Sequence, residues 1–328
     1  MRAMAFRKRL QFDIFERSKS MNYEEFKEKA VLELQKRLHE AKVEVSEICK
    51  NNSTSYDTIM IHMSNKERSL SPCIRLKPYY NDFINSHGKK SFEDILQNIV
   101  EEYHNALGCK KGNALYDEIK DFNTVKDHVI CRLVNRLMNQ ALLETIPHTE
   151  YLGEFAIIYS IVTMQNGDGV ESIRITNSIM GYWNITLEEL HEISLQNTIR
   201  LFPKVSIRMD DLISNMIGEP MPEQEAESCN MYVLTNSQSI NGATVLIYPD
   251  TLKEFISQHH INEKYLVILP SSIHEVIAVP ATDLSMIDNF LQMVKEVNKG
   301  EVAAEEVLSY KILVYNRIEN SLNCLEEE

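Results

Sequence analysis

The run YLVILPSSIHEVIAVPA, residues 265–281, constrains the fold of this chain more than any other segment. Its first residues are apolar or aromatic and include β-branched members, which predicts a strand, Tyr265–Leu269, that is buried on both faces. Pro270 has no N–H group to donate and therefore ends the strand, and a second strand is predicted to begin near Val276. The chain therefore needs a sheet that is covered on both sides, and it leaves that sheet through a short polar turn.

The polar turn between these strands holds the candidate catalytic residues, which are Ser271, Ser272, His274 and Glu275. A hydroxyl, an imidazole and a carboxylate are the groups of a small-molecule hydrolase, with a serine as nucleophile and His274 as base. Either Glu275 or Asp250 would orient the imidazole. The turn lacks the Gly-x-Ser-x-Gly elbow and the second histidine of a zinc-protease helix. An ordinary sheet exit, in which the hydroxyls bond to the backbone, is the structural alternative.

A second polar loop follows the predicted strand at residues 231–235 and holds the candidate ligand-binding residues Thr235, Asn236 and Ser237. We expect this strand to neighbour Tyr265–Leu269 in one sheet. If the two strands run in the same direction, both polar loops lie at the same end of the sheet. The sequence then predicts one cleft lined by the loop and by the turn at 271–275.

Other patterns favour structural roles over ligand binding. A phosphate cradle needs a glycine-rich turn between a strand and a helix, and the sequence has none. Asn241 and Gly242 are predicted to form a hairpin turn, and Asp210 is predicted to cap a helix rather than to bind a divalent cation. No cysteine has a partner at metal-ligand spacing. The sequence therefore predicts no metal site and no cofactor.

Charge and cysteine usage limit the class of partner and the compartment. The chain of 328 residues has 34 basic and 48 acidic residues, and its formal charge of -14 repels phosphate backbones and anionic membranes. Broad nucleic-acid binding is therefore not expected. The 6 cysteines are scattered, which fits a reducing cytoplasm. No apolar run approaches the roughly 18 residues of a membrane span, so we expect a soluble cytoplasmic protein.

Composition changes along the chain suggest its organisation. The basic segment before Met21 is predicted to be an extension, and a helix followed by two strands opens the chain after it. Two glycines and two lysines at 108–112 and the acidic, proline-containing segment 218–228 are predicted linkers. We expect a basic extension at residues 1–20, an α-β-β unit at 21–108, a central α+β unit at 113–217 and a C-terminal α+β unit at 229–320.

The second half contains two segments with a similar pattern. The first has a hairpin at 155–176, a helix capped by Thr186 with Glu189, and a strand at 205–207. The second has strands at 231–235 and 244–248, a helix from Asp250, and the strand Tyr265–Leu269. These segments suggest two related ββαβ-like units. The predicted fold class is α+β, with mixed sheets and helices packed on them.

Several phrases in the chain carry a resemblance to a known family. They are FAIIYSIV, ITLEELHEISLQNT, MYVLTNSQSINGATVLIYPDTL, YLVILPSSIHEVIAVP and EEVLSYKILVYNR. Together they resemble a family of uncharacterised proteins from anaerobic Gram-positive gut bacteria, a domain of unknown function, over about residues 21–320. The resemblance implies a bacterial intracellular protein and places residues 1–20 outside the family pattern. It supplies no activity, cofactor or catalytic residue.

Taken together, these patterns favour an interaction or regulatory module, because the chain is acidic and has no recognisable catalytic motif. Its partner would be another protein or a small molecule. The alternative is a small-molecule hydrolase with its site at the 271–275 turn. A deep pocket with His274 in hydrogen-bond reach of a serine hydroxyl would favour the hydrolase, and a filled site would favour binding.

Overall fold

The computed structural model describes residues 21–63, 73–108, 118–166, 169–222 and 229–325. The chain divides into two compact units: Met1–Lys50 with Ser55–Ile119, and Asn51–Thr54 with Lys120–Glu328. Of the segment 218–228, which the sequence suggested as a linker, residues 218–222 belong to the second unit, and residues 223–228 lie outside the described residues. The predicted extension at residues 1–20 lies outside the described residues.

The first unit packs three helices on a small antiparallel sheet. Its elements are α1 (Tyr23–Arg37), β1 (Ala41–Cys49), β2 (Ser55–Met63), β3 (Cys73–Arg75), α2 (Leu76–Asn85) and α3 (Phe92–Gly108). The sheet has the order β1-β2-β3. Helix α1 begins at a capping box, in which Asn22 and Glu25 bond to each other's backbone N–H groups. The predicted helix, strand, strand order of this region is confirmed.

The core of the first unit forms because α1 and α3 each present one apolar face to the sheet. Phe26 and Leu34 on α1 and Ile95 and Ile99 on α3 are fully buried in a single cluster with Ile59 of β2. Phe26 also stands edge-on to Phe92 and Tyr80 of the neighbouring helices. Burial of these side chains, at about 2 kcal/mol each, is the main stabilising contribution in this unit.

The second unit contains a four-stranded antiparallel sheet. Its strands are β4 (Val129–Asn135), β5 (His148–Tyr151), β6 (Phe155–Asn166) and β7 (Gly169–Arg174). The strands pair in the order β4-β6-β5. Strand β7 pairs with the C-terminal half of β6, beyond the residues that pair with β5. The predicted hairpin of β6 and β7 is confirmed, and its turn residues Gly167 and Asp168 lie outside the described residues.

Four helices accompany this sheet: α4 (Phe122–Val125), α5 (Gln140–Leu143), α6 (Asn177–Met180) and α7 (Leu187–Leu201). The predicted capping box of α7 is confirmed, since Thr186 and Glu189 exchange hydrogen bonds. Helix α7 lies along β4, the edge strand. Thr198 Oγ1 on α7 accepts from the N–H of Cys131 at 2.9 Å, and Asn197 donates to the carbonyl of Val129 at 3.0 Å. Side chains of the helix therefore bond to backbone groups on the outer edge of β4, which would otherwise lack partners.

The largest sheet has six strands in the order β13-β12-β10-β11-β9-β8. They are β8 (Lys204–Arg208), β9 (Tyr232–Asn236), β10 (Tyr265–Leu269), β11 (Val276–Ala281), β12 (Leu313–Asn316) and β13 (Ser321–Cys324). The helices in this part are α8 (Met209–Ile217), α9 (Thr251–Gln258) and α10 (Ile287–Gly300). The predicted buried strand is β10, near the middle of the sheet, where Leu266, Ile268 and Leu269 are buried.

Both faces of this sheet are covered, as the apolar run at 265–269 predicts. On one face, Val267 and Leu269 of β10 and Val279 of β11 pack against Val294 of α10. On the other face, Tyr232 of β9 stands edge-on to Phe255 of α9, with ring centroids 5.2 Å apart. An unbroken apolar strand is explained by two helical layers, because no residue of β10 needs to face water.

Two predictions for this half need correction. Every strand pair in the described residues is antiparallel, so the α+β class is confirmed but the expected mixed sheets are not found. The predicted strand at 244–248 is instead a 3-10 helix, Gly242–Ile247, and the predicted hairpin at Asn241 does not exist. The second segment therefore lacks one strand of the ββαβ order, and the strands of the first segment are divided between two sheets.

Within the described parts of the chain, no helix combines the length and the apolar composition that crossing a membrane requires.

Candidate functional site

The predicted catalytic turn lies at the end of β10, and the hydroxyl of its second serine bonds to the backbone. Ser271 and Ser272 are both buried. The Ser272 hydroxyl accepts from the backbone N–H of His274 at 3.0 Å, and Ser272 also forms a bridge with Val307. A hydroxyl that closes its own turn in this way has the structural role of an ordinary sheet exit. In the described residues, the ring of His274 makes no hydrogen bond to a serine.

The ring of His274 is instead held by two other groups. Its Nδ1 accepts from the backbone N–H of Asn241 at 3.3 Å, and its Nε2 lies 3.4 Å from Oε1 of Glu306. Because Nδ1 is an acceptor, the neutral ring carries its proton on Nε2, which faces the carboxylate. Glu306 is therefore the acidic partner of His274, whereas Glu275 and Asp250 had been expected. Asp250 accepts from Lys253 at 2.9 Å.

The predicted ligand loop meets this turn directly. Strands β9 and β10 are both antiparallel to β11, so they run in the same direction with β11 between them. Thr235 Oγ1 donates to the carbonyl of His274 at 2.8 Å, and Gly242 packs so closely that an added Cβ would lie 2.3 Å from that carbonyl. Asn236 is buried and donates to Ile240, while Ser237 is exposed. Protein atoms thus fill the space between the loop and the turn that was expected to be a cleft.

A cavity of about 40 Å³ lies beside β8, which is the edge strand of the same sheet. Polar and apolar side chains line it: Lys204, Val205, Ser206, Leu234, Val245, Thr251, Phe255 and Gln258. Ser206 Oγ lies 2.8 Å from Nε2 of His259, which follows α9. The Thr251 hydroxyl is buried, and no hydrogen-bond partner for it exists among the described residues. The cavity is therefore lined by a serine that contacts a histidine and by a threonine whose hydroxyl is buried and unbonded.

Burial sets the ionisation state of this pair. Burial lowers the pKa of His259, and the positive charges of Arg208 and His260 lower it further. The ring also packs on Tyr232, with centroids 4.7 Å apart. A neutral His259 keeps a lone pair for the Ser206 hydroxyl. In the described chain, no carboxylate bonds to His259, so the arrangement lacks the orienting acid of a catalytic triad.

The backbone of β8 leaves one row of hydrogen-bonding groups unused. The Ser237 N–H donates to Pro203, and the Met209 N–H donates to Met231, which places residues 203, 205, 207 and 209 in the ladder with β9. The N–H and C=O groups of Lys204 and Ser206 therefore point away from the sheet. Among the described residues, no backbone or side-chain group bonds to them. Strand β8 is thus an open sheet edge directly beside the cavity.

No metal centre emerges from the described residues. They contain no group of three or more histidine, cysteine or acidic side chains that could hold a metal ion. Asp210 forms a bidentate pair with Arg208, and His148 bonds to the carbonyl of Ile146. Burial raises the pKa of the Cys131 thiol to about 11, so this cysteine is a core residue, as its apolar surroundings in the sequence predict.

Sequence reasoning located the turn but missed the cavity beside β8. Ser206 and His259 are 53 residues apart and meet only because α9 crosses the face of β8 and β9. A lone serine on a short strand and a histidine at a helix end carry no pattern. The only available signal was the alternation of Lys204, Ser206 and Arg208 with apolar residues, which is typical of an exposed edge strand.

Comparison with known proteins gives one match. No curated protein matches the chain, and no solved structure matches it. A family model described as a family of unknown function, DUF5688, matches residues 23–317, which is most of the described chain. The chain therefore belongs to the DUF5688 family.

Proposed function

We propose that this protein is an interaction module that binds an extended peptide by adding it as a strand to β8. The observation that carries the proposal is the open edge of β8, a strand of 5 residues whose outward N–H and C=O groups at Lys204 and Ser206 have no partner in the described chain. Such an edge supplies main-chain hydrogen bonds to any extended segment, independently of its sequence.

The cavity beside β8 supplies sequence preference in this proposal. Side chains of an added strand alternate between the two faces of the sheet, so every second one points to the face of α9. There the peptide side chain meets Ser206 and Thr251, two of the residues that line the cavity. Because the cavity measures only about 40 Å³, it suits a short side chain with a hydroxyl or carboxyl group.

The hydrolase at the 271–275 turn is the less supported candidate. The contact between His274 and Glu306 favours it, since a carboxylate beside an imidazole is part of a general-base arrangement. However, the Ser272 hydroxyl bonds to the backbone, and Thr235 fills the space beside the turn. The bonds of Thr235 to His274 and of Asn236 to Ile240 support structural roles for these two residues in place of the ligand-binding role predicted from sequence.

We also propose a reducing bacterial cytoplasm as the site of this interaction. The cysteines in the described residues are all free thiols, including the exposed Cys49 and Cys73. Exposed thiols are typical of compartments that keep cysteine reduced.

Selection of linear peptides tests the proposed function. A random peptide library displayed on phage is selected on the immobilised full chain, and binding of the recovered peptides is measured by fluorescence polarisation. We expect extended, proline-free peptides that bind the wild-type protein. Ser206→Pro removes the outward N–H group of β8 and should therefore abolish binding. The variant should still fold, because proline is tolerated on an edge strand where the N–H faces away from the sheet.

Ser206→Ala is the matched control, because it removes the same hydroxyl but keeps the N–H group. It should bind the peptides with at most a few-fold weaker affinity. Equal binding by the proline and alanine variants, or a selection that recovers no specific peptide, would contradict strand addition at β8.

A further inference from the structure

Strand β1 is an edge strand of the sheet in the first unit, because it pairs with β2 on one side only. On its outer side, the Gln35 amide of α1 donates to the carbonyl of Ala41 at 2.7 Å and accepts from the N–H of Val43 at 2.9 Å. Outward groups recur at every second residue, so those of Val45 and Glu47 also point away from β2. Among the described residues, no group bonds to them. The second half of β1 is therefore an open edge.

Helix α1 runs along this edge and makes a groove with it. Gln35, near the end of α1, bonds to the start of β1, whereas Lys27, near the start of α1, contacts Asp57 at 3.0 Å. Asp57 lies opposite Glu47 in the ladder of β1 and β2. The helix is therefore antiparallel to β1, and its first half lies beside the open half of the edge.

Each wall of this groove carries one apolar and one acidic side chain. On α1, Val31 and Glu28 lie one and two turns before Gln35, on the side of the helix that bonds to β1. On β1, the side chains of Val45 and Glu47 share a sheet face with the earlier residues that are buried against α1. Val45 is 37% exposed, and both glutamates are exposed. The groove therefore offers apolar contact and negative charge beside free backbone groups.

The negative charge of the groove is not neutralised within the described chain. No basic side chain there forms an ion pair with Glu28 or Glu47, although Glu47 accepts from the Ser55 hydroxyl. By contrast, Lys27 on the same helix is held by Asp57. A basic side chain on a partner complements the two free carboxylates, and an acidic one is repelled.

We propose that this groove binds an extended peptide segment of a partner protein in which an apolar and a basic residue lie two positions apart. The segment adds to β1 as a strand and bonds to the outward groups of Val45 and Glu47. Side chains two positions apart point to the same face of a strand. The apolar one packs on Val31 and Val45, and the basic one meets Glu28 and Glu47. This site lies in the first unit and does not rest on the edge of β8 in the second.

Fluorescence polarisation with two labelled octapeptides tests the charge preference. In one, valine and lysine alternate between threonines, and in the other glutamate replaces lysine. The full chain should bind the lysine peptide and not the glutamate peptide. Glu47→Lys should weaken binding of the lysine peptide several-fold. Glu101→Lys is the matched control, because Glu101 is exposed on α3 and its replacement changes the net charge equally, and it should bind as the wild type does.

Val45→Pro tests the strand geometry, because it removes one outward N–H group of β1. It should weaken binding of the lysine peptide by about tenfold or more. Val45→Ala, which shortens the side chain but keeps the N–H group, should bind only a few-fold more weakly than the wild type. Proline is tolerated on an edge strand where the N–H faces away from the sheet. If Val45→Pro does not fold, Glu47→Lys at an exposed position still tests the groove.

Four results would overturn the proposal. They are no binding of the lysine peptide, equal binding of both peptides, equal binding by Val45→Pro and Val45→Ala, and loss of binding in Ser206→Pro, which would assign the peptide to β8. Sedimentation velocity adds a fifth, since a wild-type dimer that Val45→Pro dissociates would assign the groove to a second copy of this chain. Lysine-peptide binding that survives Ser206→Pro separates this site from the one at β8.

Discussion

At the scale of single residues, Gly242 decides how the loop after β9 meets the turn after β10. A Cβ at this position would lie 2.0 Å from Thr235 Oγ1, 2.3 Å from the carbonyl oxygen of His274 and 2.9 Å from the Asn236 nitrogen. The threonine side chain can rotate, but the two backbone atoms belong to the sheet and its turn. Only glycine allows this approach, and the 3-10 helix that begins here depends on it.

Gly242→Ala should therefore be strongly destabilising. We expect the free energy of unfolding, measured by urea denaturation, to fall by about 1–3 kcal/mol, as for other overpacked sites. Gly300→Ala is the matched control, because a Cβ at this position at the end of α10 meets no atom within 4 Å. Its stability should be unchanged or raised by up to about 1 kcal/mol. Equal effects of the two substitutions would show that Gly242 is not packed as described.

Two half-buried histidines make stability depend on pH. Burial lowers the pKa of His191, which lies 3.2 Å from the Tyr159 hydroxyl, and it lowers the pKa of His259 as well. As the pH falls, these histidines therefore take up protons in the unfolded chain before they do so in the folded protein, starting near their ordinary pKa of about 6.5. Stability is complete above that value and is lost as the pH falls towards the folded-state pKa values.

Urea denaturation at pH values from 8 to 5 checks this dependence, with a slope of at most about 1.4 kcal/mol per pH unit for each histidine. His191→Asn and His259→Gln should each flatten the slope between about pH 6.5 and 5, because the titrating group is gone. Measurements at pH 8, where both histidines are neutral, report the cost of each substitution itself. A wild-type slope retained in both variants would contradict this assignment.

Single-residue roles were only partly predictable from the sequence. The placement of Ser271 and His274 at a strand end followed from Pro270, because a missing N–H group ends a ladder wherever it occurs. The partner of His274 did not follow, since Glu306 is distant in sequence and reaches it only through the bridge between Ser272 and Val307. Local chemistry locates a turn, but tertiary contacts decide which side chains meet there.

At the scale of elements, the edge of β4 shows how this fold closes an open strand with side chains. Thr198 Oγ1 accepts from the Cys131 N–H at 2.9 Å, and Thr244 Oγ1 accepts from the Leu133 N–H at 3.3 Å. One threonine comes from α7 and the other from the 3-10 helix at 242–247. Both donors are buried, so water does not replace these acceptors.

Thr198→Val should destabilise the protein, because it removes one of these acceptors from the edge of β4. Valine keeps the shape of threonine but leaves the buried Cys131 N–H without an acceptor, so we expect a loss of about 1–3 kcal/mol in the free energy of unfolding. Thr145→Val is the matched control, because Thr145 is exposed, and its effect should be within about 0.5 kcal/mol. Urea denaturation of both variants measures the difference. A silent Thr198→Val would mean that the edge finds another acceptor.

Element types were predictable where one pattern dominated. The capping box of α7 and the hairpin of β6 and β7 are local signals, and the structure confirms them. The segment at 244–248 is apolar and β-branched, which predicts a strand, yet Thr244 is needed as an acceptor for β4 and Gly242 as a point of close approach. Tertiary demands of this kind override strand propensity and leave no mark in the local sequence.

At the scale of the whole molecule, the acidic charge limits the partners. The formal charge of -14 opposes any polyanion at long range. A short labelled DNA duplex should therefore show no polarisation change with this protein at about 0.1 M salt. A chain with the same fold but a basic face would bind, with an affinity that falls steeply with salt. Salt-sensitive binding by this protein would contradict the expectation from its charge.

The same charge leaves short-range recognition as the basis of binding. A peptide added to β8 would be held by main-chain hydrogen bonds and by one cavity, and neither depends on the net charge. The arrangement requires that the outward groups of Lys204 and Ser206 are free in the isolated protein. This requirement is the central claim about function, and it concerns single amide groups.

Residue-resolved hydrogen exchange along β8 in the full chain tests this claim most directly. In the free protein, the amides of Val205 and Ile207 should be protected by their bonds to β9, whereas those of Lys204 and Ser206 should exchange fast. A selected peptide should slow exchange at Lys204 and Ser206 and leave Val205 and Ile207 unchanged. Equal protection of all four amides in the free protein would show a covered edge and would contradict the proposed function.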